Sequence, residues 1–380
     1  MKRLFVTCEY PPIICGQAAY LKNLWSDLDK DENVLLVPSI CRSPNFLHPA
    51  MHIAYMSVPS GEGWLSRSAR LTMLFLAMVR TCMTFRPQEI HAGQLVVGGF
   101  CALLIRLLFN IPYCVYCYGA DVLEFSRYPW ARALVRAIFA NSGRIITISA
   151  YTEGLIKDLY HPKTVISIIN PCIEDRFFDH RPAPNEALRR RHGLGEKKVL
   201  LTISRLVERK GHDVVIKSLP FLRKAVPDIH YLIVGDGPCR ARLEALAAET
   251  GVAGLVSFCG SVSKDELPDY YCLGNVFVMV PRMLDRKGDV EGFGIVYIEA
   301  NALGLPVVAS RCGGIVDAVE DNTNGLLVND PTDAREVAAA CEKVLLNDTL
   351  RRTLSTNARR WARKFSCESQ RKKWREAVQW

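Results

Sequence analysis

Glu291-Gly292-Phe293-Gly294-Ile295-Val296-Tyr297-Ile298-Glu299 reads as a glycine-rich loop that turns into a helix. Gly292 and Gly294 let the backbone approach a ligand closely. The first helical N–H groups then point into that space, where the helix dipole favours an anion. Glu291 stands on the loop side of this pocket. Glu299 stands about two turns into the helix, at roughly 3.6 residues per turn. A phosphate would be repelled by two carboxylates unless these meet hydroxyl groups. A sugar joined to a nucleoside diphosphate satisfies that condition, with sugar hydroxyls for one glutamate and ribose hydroxyls for the other. An ordinary capped surface helix carrying two exposed acids is the competing reading of the same nine residues.

Outward from this loop the chain reads as two α/β halves. In the first, a strand over 4–8 leads into Glu9-Tyr10-Pro11-Pro12, Gly16 and a helix over 18–28. In the second, a strand over Lys198–Ile203 leads into Ser204-Arg205-Leu206-Val207-Glu208-Arg209-Lys210-Gly211 and a helix over 212–219. Further strands are expected at 34–38, 53–57, 89–91, 113–118, 144–148 and 165–169. The second half adds 230–234, 256–259, 276–280, 306–310 and 325–328. Helices are expected over 66–85, 98–109, 130–140, 240–250, 295–303 and 334–346. Strands alternating with helices imply parallel sheets, so the expected class is α/β with two Rossmann-like domains. Residues 170–185, with Pro, Asp and Arg and no periodicity, read as the connection between them. Residues 350–380 read as a basic amphipathic closing helix with Trp361, Phe365, Trp374 and Trp380. Its long basic side chains suit packing and membrane contact equally.

A chain of 380 residues favours two domains over one. With 49% hydrophobic and 23% charged residues it is no disordered chain. Its 14 cysteines sit mostly in apolar runs, as buried thiols in a reducing compartment do. Cys114 and Cys117 would face opposite sides of one strand, and no second CxxC exists, so neither a zinc site nor a redox pair is expected. Met1-Lys2-Arg3 runs straight into a strand, without the pattern of a signal peptide. No stretch reaches the roughly 18–20 uncharged apolar residues of a membrane span. The expected location is therefore cytoplasmic. The formal charge is +9, with basic clusters around 67–86, 127–144, 189–198 and 351–375. Such a balance suits anionic membrane, and hence peripheral contact at the inner face of the plasma membrane, or an anionic substrate. No motif that reads nucleic acid accompanies it, so nucleic acid is not an expected partner.

Several segments carry chemistry at predicted strand ends, where ligands of parallel sheets bind. Arg205 and Lys210 flank one such loop and would neutralise a diphosphate, Arg with a planar fork and Lys with a point charge. A pair of solvated charges is the alternative. Gly235, in Val234-Gly235-Asp236-Gly237-Pro238, and Val262, in Gly260-Ser261-Val262, mark two further strand ends. Gly16 opens a helix and would approach phosphates from the first half. Tyr118, in Tyr118-Gly119-Ala120-Asp121, offers a hydroxyl to a sugar or phosphate, unless it is a core tyrosine satisfied locally. His91 reads as a buried, hydrogen-bonded histidine before it reads as a catalytic one. Asp27-Leu28-Asp29 ends a helix instead of following a strand, so it reads as a solvated turn and not a metal site. HExxH, GxxxxGK[ST], GxSxG and a GxGxxG with its acid are all missing, which argues against zinc proteases, P-loop NTPases, α/β-hydrolases and a typical NAD fold.

Together, Glu9-Tyr10-Pro11-Pro12 with Gly16, Ser204-Arg205-Leu206 with Lys210-Gly211, Val234-Gly235-Asp236-Gly237, Glu291 through Glu299, and Gly304-Leu305-Pro306-Val307-Val308-Ala309 resemble the retaining glycosyltransferases of family 4. The strings 204–211 and 289–300 look especially like bacterial phosphatidylinositol mannoside mannosyltransferases, which use GDP-mannose. The resemblance covers essentially the whole chain. It implies the GT-B fold, two Rossmann-like domains facing across a cleft: 1–172 for the acceptor, 186–360 for the donor, and a helix within 361–380 returning to the first. It implies hexose transfer from a GDP- or UDP-hexose to a lipid-linked or polysaccharide acceptor, with no metal and no cofactor beyond the nucleotide sugar. A small soluble acceptor, or a non-catalytic nucleotide-sugar binder, are the alternatives. By the same resemblance Arg205 and Lys210 hold the diphosphate and Glu291 the hexose. Gly292, Phe293, Gly294 and Ile295 contribute backbone contacts, Glu299 binds the ribose, and Gly16 lines the phosphate side. Two positions depart from the family pattern: Tyr118 stands where many relatives have a histidine near the sugar, and Cys15-Gly16 stands for Gly-Gly.

Overall fold

The computed structural model describes the chain apart from residues 14, 30, 43–50, 57–63, 181–184, 285–288 and 379–380, and for 64–67 it describes the backbone alone. Trp380, Ser57 and residues 181–184 of the expected connection therefore lie outside the described residues. The chain divides into two compact units, Met1–Cys172 with Gln370–Trp380, and Ile173–Ser369.

In the first unit β1 (Arg3–Val6), β2 (Asn33–Pro38), β3 (His52–Met56), β4 (Glu89–Ala92), β5 (Tyr113–Cys117), β6 (Arg144–Thr147) and β7 (Ile166–Ile168) form one sheet. Its order is β3-β2-β1-β4-β5-β6-β7, and every pairing is parallel. In the second, β8 (Lys198–Ile203), β9 (Ile229–Val234), β10 (Val256–Phe258), β11 (Val276–Met279), β12 (Val307–Ser310) and β13 (Gly325–Val328) form a parallel sheet in the order β10-β9-β8-β11-β12-β13. Every expected strand forms, with ends shifted by one or two residues at most. The central strands are apolar without alternation, because helices cover both sheet faces. β5, β9 and β11 are buried at every position. Chain order reverses between β1 and β4, and again between β8 and β11. At such a switch point neighbouring loops leave in opposite directions and open a crevice at the carboxyl ends of the strands.

Two helices differ most from expectation; a third, expected over 18–28, forms as Gly16–Trp25. The helix expected to stop before Pro220 continues as His212–Ala225 with that proline inside it. Leu219 and Leu222 are both fully buried, and that burial offsets the lost backbone hydrogen bond. The closing stretch is broken into Asp348–Ala362, a 3-10 turn Arg363–Phe365 and Cys367–Ala377, with Ser366 extended. Its aromatic residues enter separate cores. Phe365 packs on Phe293 in the second unit, ring centroids 5.4 Å apart. Trp374 is buried in the first, its Nε1 donating to the Tyr116 hydroxyl at 2.7 Å. Arg375 of the same last helix pairs with Asp27, while Asp29 accepts from the Asp31 amide at 2.9 Å, so Asp27-Leu28-Asp29 is engaged locally. All fourteen cysteines are free.

Candidate active site

β8 ends at Ile203, and the turn that follows is braced from beneath. Ser204 Oγ lies 2.9 Å from His212 Nε2, and His212 Nδ1 lies 3.2 Å from the Tyr231 hydroxyl. That hydroxyl is 2.8 Å from Thr202 Oγ1. Burial pushes the His212 pKa down to about 4, so the ring is a neutral strut. Nothing in the sequence pattern marks it.

Above this strut stand the expected cations. Arg205 is exposed and makes no ion pair among the described residues. Lys210 is largely covered, and its Nζ donates to Glu291 Oε2 at 2.7 Å. Arg209 Nη1 donates to the same oxygen. Arg209 Nε lies 2.8 Å from Asp289 Oδ1, an ion pair without hydrogen-bond alignment. Lys210 and Arg209 follow β8 and Glu291 follows β11, so these contacts bridge the switch point of the sheet. Burial alone would raise the Glu291 pKa; Lys210 and then Arg209 override it and hold the carboxyl below its ordinary value. Arg209 and Asp289 escaped the sequence reading, although both stand within two residues of expected site residues.

Glu299 has a different setting. Its Oε2 accepts from the Tyr271 hydroxyl at 2.7 Å, and it has no ion pair among the described residues. Burial holds its pKa above the ordinary value, against the lowering effect of that hydrogen bond. Tyr271, 28 residues before it, carries no signal in the sequence. Between the two glutamates, the helix Ile295–Ala302 starts without a side-chain cap. Gly294 has φ +89°, and a Cβ there would stand 2.6 Å from the Tyr297 ring, so glycine is required by the loop itself. Phe293 points inward onto Phe365 and is 2% exposed, so the loop from Gly292 to Ile295 offers backbone at this position.

The other strand ends of the second unit join the same turn cluster. The Gly235 amide donates to Gly260 O at 2.8 Å, and the Leu206 amide to Asp236 O at 3.0 Å. A Cβ on Gly235 would meet Ser204 O at 2.0 Å, so this glycine serves contact between turns. Val262, two residues past Gly260, is half-buried.

In the first unit Gly16 opens the helix Gly16–Trp25, with nothing within 4 Å of where a Cβ would stand. Cys15 caps that helix, its Sγ accepting from the Ala18 amide at 3.3 Å and donating to Glu9 Oε2 at 3.1 Å. Burial, with Glu9 adding to it, pushes this thiol up to about 11. Tyr118 corrects an expectation. It is 7% exposed, and its hydroxyl donates to Gly93 O at 2.8 Å. The hydroxyl's one proton is thus spent inside the unit, and burial keeps its pKa well above the ordinary value. His91 is fully buried, with Nδ1 3.0 Å from the Tyr116 hydroxyl and Nε2 3.3 Å from Glu89. Glu89, His91 and Cys114 could between them hold a metal ion, their ligand atoms all lying within 4.8 Å of one another, but Arg3 Nε already sits 3.0 Å from Glu89.

This arrangement has parallels. The family model for Glycosyltransferase Family 4 matches residues 15–177, and that for glycosyl transferases group 1 matches 184–361. A GDP-mannose-dependent monoacylated alpha-(1-6)-phosphatidylinositol monomannoside mannosyltransferase of Corynebacterium glutamicum is 33% identical over 369 residues, 92% of this chain and 90% of that protein. The chain belongs to glycosyltransferase family 4. A GDP-mannose-dependent alpha-(1-6)-phosphatidylinositol monomannoside mannosyltransferase of Mycolicibacterium smegmatis is 36% identical to this glycosyltransferase over 245 residues. That match spans 64% of this chain and 64% of the relative, a little under two thirds of its length. Among solved structures, Anabaena HepE with UDP and glucose superposes with a TM-score of 0.81 at 18% identity, over 100% of this chain and 99% of that one. Sucrose-phosphate synthase from Thermosynechococcus elongatus does so with 0.81 at 21% identity, over 99% and 98%. The glycosyltransferase thus has the GT-B fold.

Proposed function

We propose that the protein transfers a hexose, mannose from GDP-mannose in the first instance, to a lipid-linked acceptor of the phosphatidylinositol mannoside type. The observation that carries this reading is the Lys210–Glu291 contact at the switch point of the second sheet, beside an uncapped helix start and Arg205, which makes no ion pair among the described residues. An ammonium has three donors. Glu291 takes one at 2.7 Å, which leaves two for phosphate oxygens. Arg205 adds a planar fork with no competing acid among the described residues. Glu291 would accept from sugar hydroxyls and Glu299 from the ribose, Tyr271 holding its other lone pairs in register. The names of the two mannosyltransferase relatives support the donor and the acceptor class.

In the reaction the bond from the sugar anomeric carbon to the diphosphate breaks. A bond to the acceptor oxygen forms on the same face, and the acceptor proton passes to the departing diphosphate. Arg205 and Lys210 would stabilise the charge that develops there, which is why no metal is invoked. Peripheral contact with anionic lipid, at the inner face of the plasma membrane, is part of the proposal. It rests on the +9 charge and on Tyr128 and Trp130, which stand 56% and 67% exposed. No helix among the described residues is long and apolar enough to cross a membrane.

The test is a donor panel of GDP-mannose, UDP-glucose and UDP-N-acetylglucosamine, read by thermal shift and slow donor hydrolysis. GDP-mannose should raise the melting temperature most. Stabilisation by none of them would overturn the proposal, and no sedimentation with anionic liposomes at low salt would remove its membrane part.

A further inference from the structure

We propose that Arg209 is a positioning residue that pins one oxygen of Glu291 and leaves the other for the donor sugar. The inference rests on the sugar-binding role proposed above for Glu291. Both cationic contacts of this carboxylate fall on Oε2, from Lys210 Nζ at 2.7 Å and from Arg209 Nη1. Oε1 has no hydrogen-bond partner among the described residues and is not sealed from solvent. A lysine is a point charge on a flexible stem and leaves a carboxylate free to swing, whereas a guanidinium is planar and directional.

Lys210 also has a competing task. A donor diphosphate would share its ammonium with Glu291 and occupy its other two donors, while Arg209 is held by protein contacts alone. Its Nε lies 2.8 Å from Asp289 Oδ1. Its carbonyl oxygen accepts from the Arg282 amide at 3.0 Å, and Arg282 itself pairs with Asp213 at 3.0 Å. The side chains of Arg209 and Glu291 are 18% and 13% exposed, so water screens their contact little. Arg209 is therefore the contact to Glu291 that the donor does not share. Misplacing the carboxylate by about 1 Å would slow transfer by up to roughly a hundredfold.

The test uses the full chain with Arg209→Met and Arg209→Lys. Three readouts are taken: GDP and UDP affinity by calorimetry, kcat and KM with the donor the parent turns over, and a carbon-13 titration of the Glu291 carboxyl without donor. Among the described residues the groups that face Glu291 are Arg209, Lys210, Tyr297 and Cys312, and the variants alter Arg209 alone. Arg209→Met should lower kcat by roughly 10- to 100-fold, leave nucleotide affinity within about threefold, and move the Glu291 titration upward. Arg209→Lys should fall between it and the parent. A matched loss of nucleotide affinity would make Arg209 a phosphate ligand and overturn the proposal, as would an unchanged kcat or an unmoved titration. If the parent turns over no donor, the proposed function fails by itself, and the Glu291 titration still decides whether Arg209 holds the carboxylate.

Discussion

The turns after β8 and β11 in the second unit and the turn after β5 in the first all lie at the carboxyl ends of parallel strands, yet their polar groups meet opposite fates. After β8 and β11, Lys210 and Glu291 pair across the switch point, Arg205 stays unpaired among the described residues, and Glu291 Oε1 stays unclaimed. After β5, the Tyr118 hydroxyl is spent on Gly93 O, and Asp121 Oδ1 accepts the Tyr118 and Val122 amides, both at 2.9 Å. Asp121 Oδ2 is buried without a hydrogen-bond partner among the described residues, and burial lifts this carboxyl to about 6. The carboxyl end of a parallel strand is a site by position only. Whether a side chain there can meet a ligand depends on what neighbouring turns have already claimed.

The contrast can be broken most easily at Lys210. Lys210→Met removes a donor to the diphosphate and one anchor of Glu291. It should lower kcat/KM by roughly 100- to 1,000-fold, the range for losing one oriented electrostatic group. Steady-state transfer kinetics showing less than a fivefold loss would mean that the charged turn is as inert as the β5 turn. Next in size are Glu299→Ala and Arg205→Ala. The first should weaken nucleotide binding by roughly tenfold, as loss of a hydrogen bond to a charged group does. The second should mainly lower kcat. Calorimetry and kinetics on both variants check the division, and equal effects on affinity and turnover in both would erase it.

On the sealed side, Tyr118→Phe should leave kcat/KM within about threefold. It should cost roughly 1–3 kcal/mol of stability, since Gly93 O loses its donor. A hundredfold drop in kcat without a lower melting temperature would return Tyr118 to the chemistry. The smallest effect concerns Asp121. Its folded pKa lies above the ordinary 3.8, at about 6. Such a group contributes stability that is complete below its unfolded value and is lost as pH rises through the folded one. The first unit should therefore lose stability between about pH 4 and 6, and Asp121→Asn should flatten that segment. Melting temperatures across this range test it; an identical slope in parent and variant would show that the carboxyl is not sealed.

Much of this molecule was legible along the chain. Strands and helices came from apolar runs and turn residues, which act within a few positions, so Lys198–Ile203 and Ala334–Leu346 could be read to the residue. Pro220 misled for the same reason: a local rule predicted a stop, and burial of Leu219 and Leu222 overrode it. Among site residues, Arg205, Lys210, Glu291 and Glu299 stood out by type and spacing. Their partners did not, because a partner is chosen by the fold: Arg209 and Lys210 reach Glu291 across more than 80 residues, and Tyr271 reaches Glu299 across 28.

By itself the sequence determined the α/β class, the place of each strand, and which charges stand at strand ends, since these follow from periodicity and turn chemistry over short spans. Tertiary structure alone decided which of those groups remain open to a ligand. A hydroxyl such as that of Tyr118 is free or spent according to a carbonyl 25 residues away, on the neighbouring strand's turn. A carboxylate such as Glu291 is poised by cations that only the packing of β8 against β11 brings within hydrogen-bond reach.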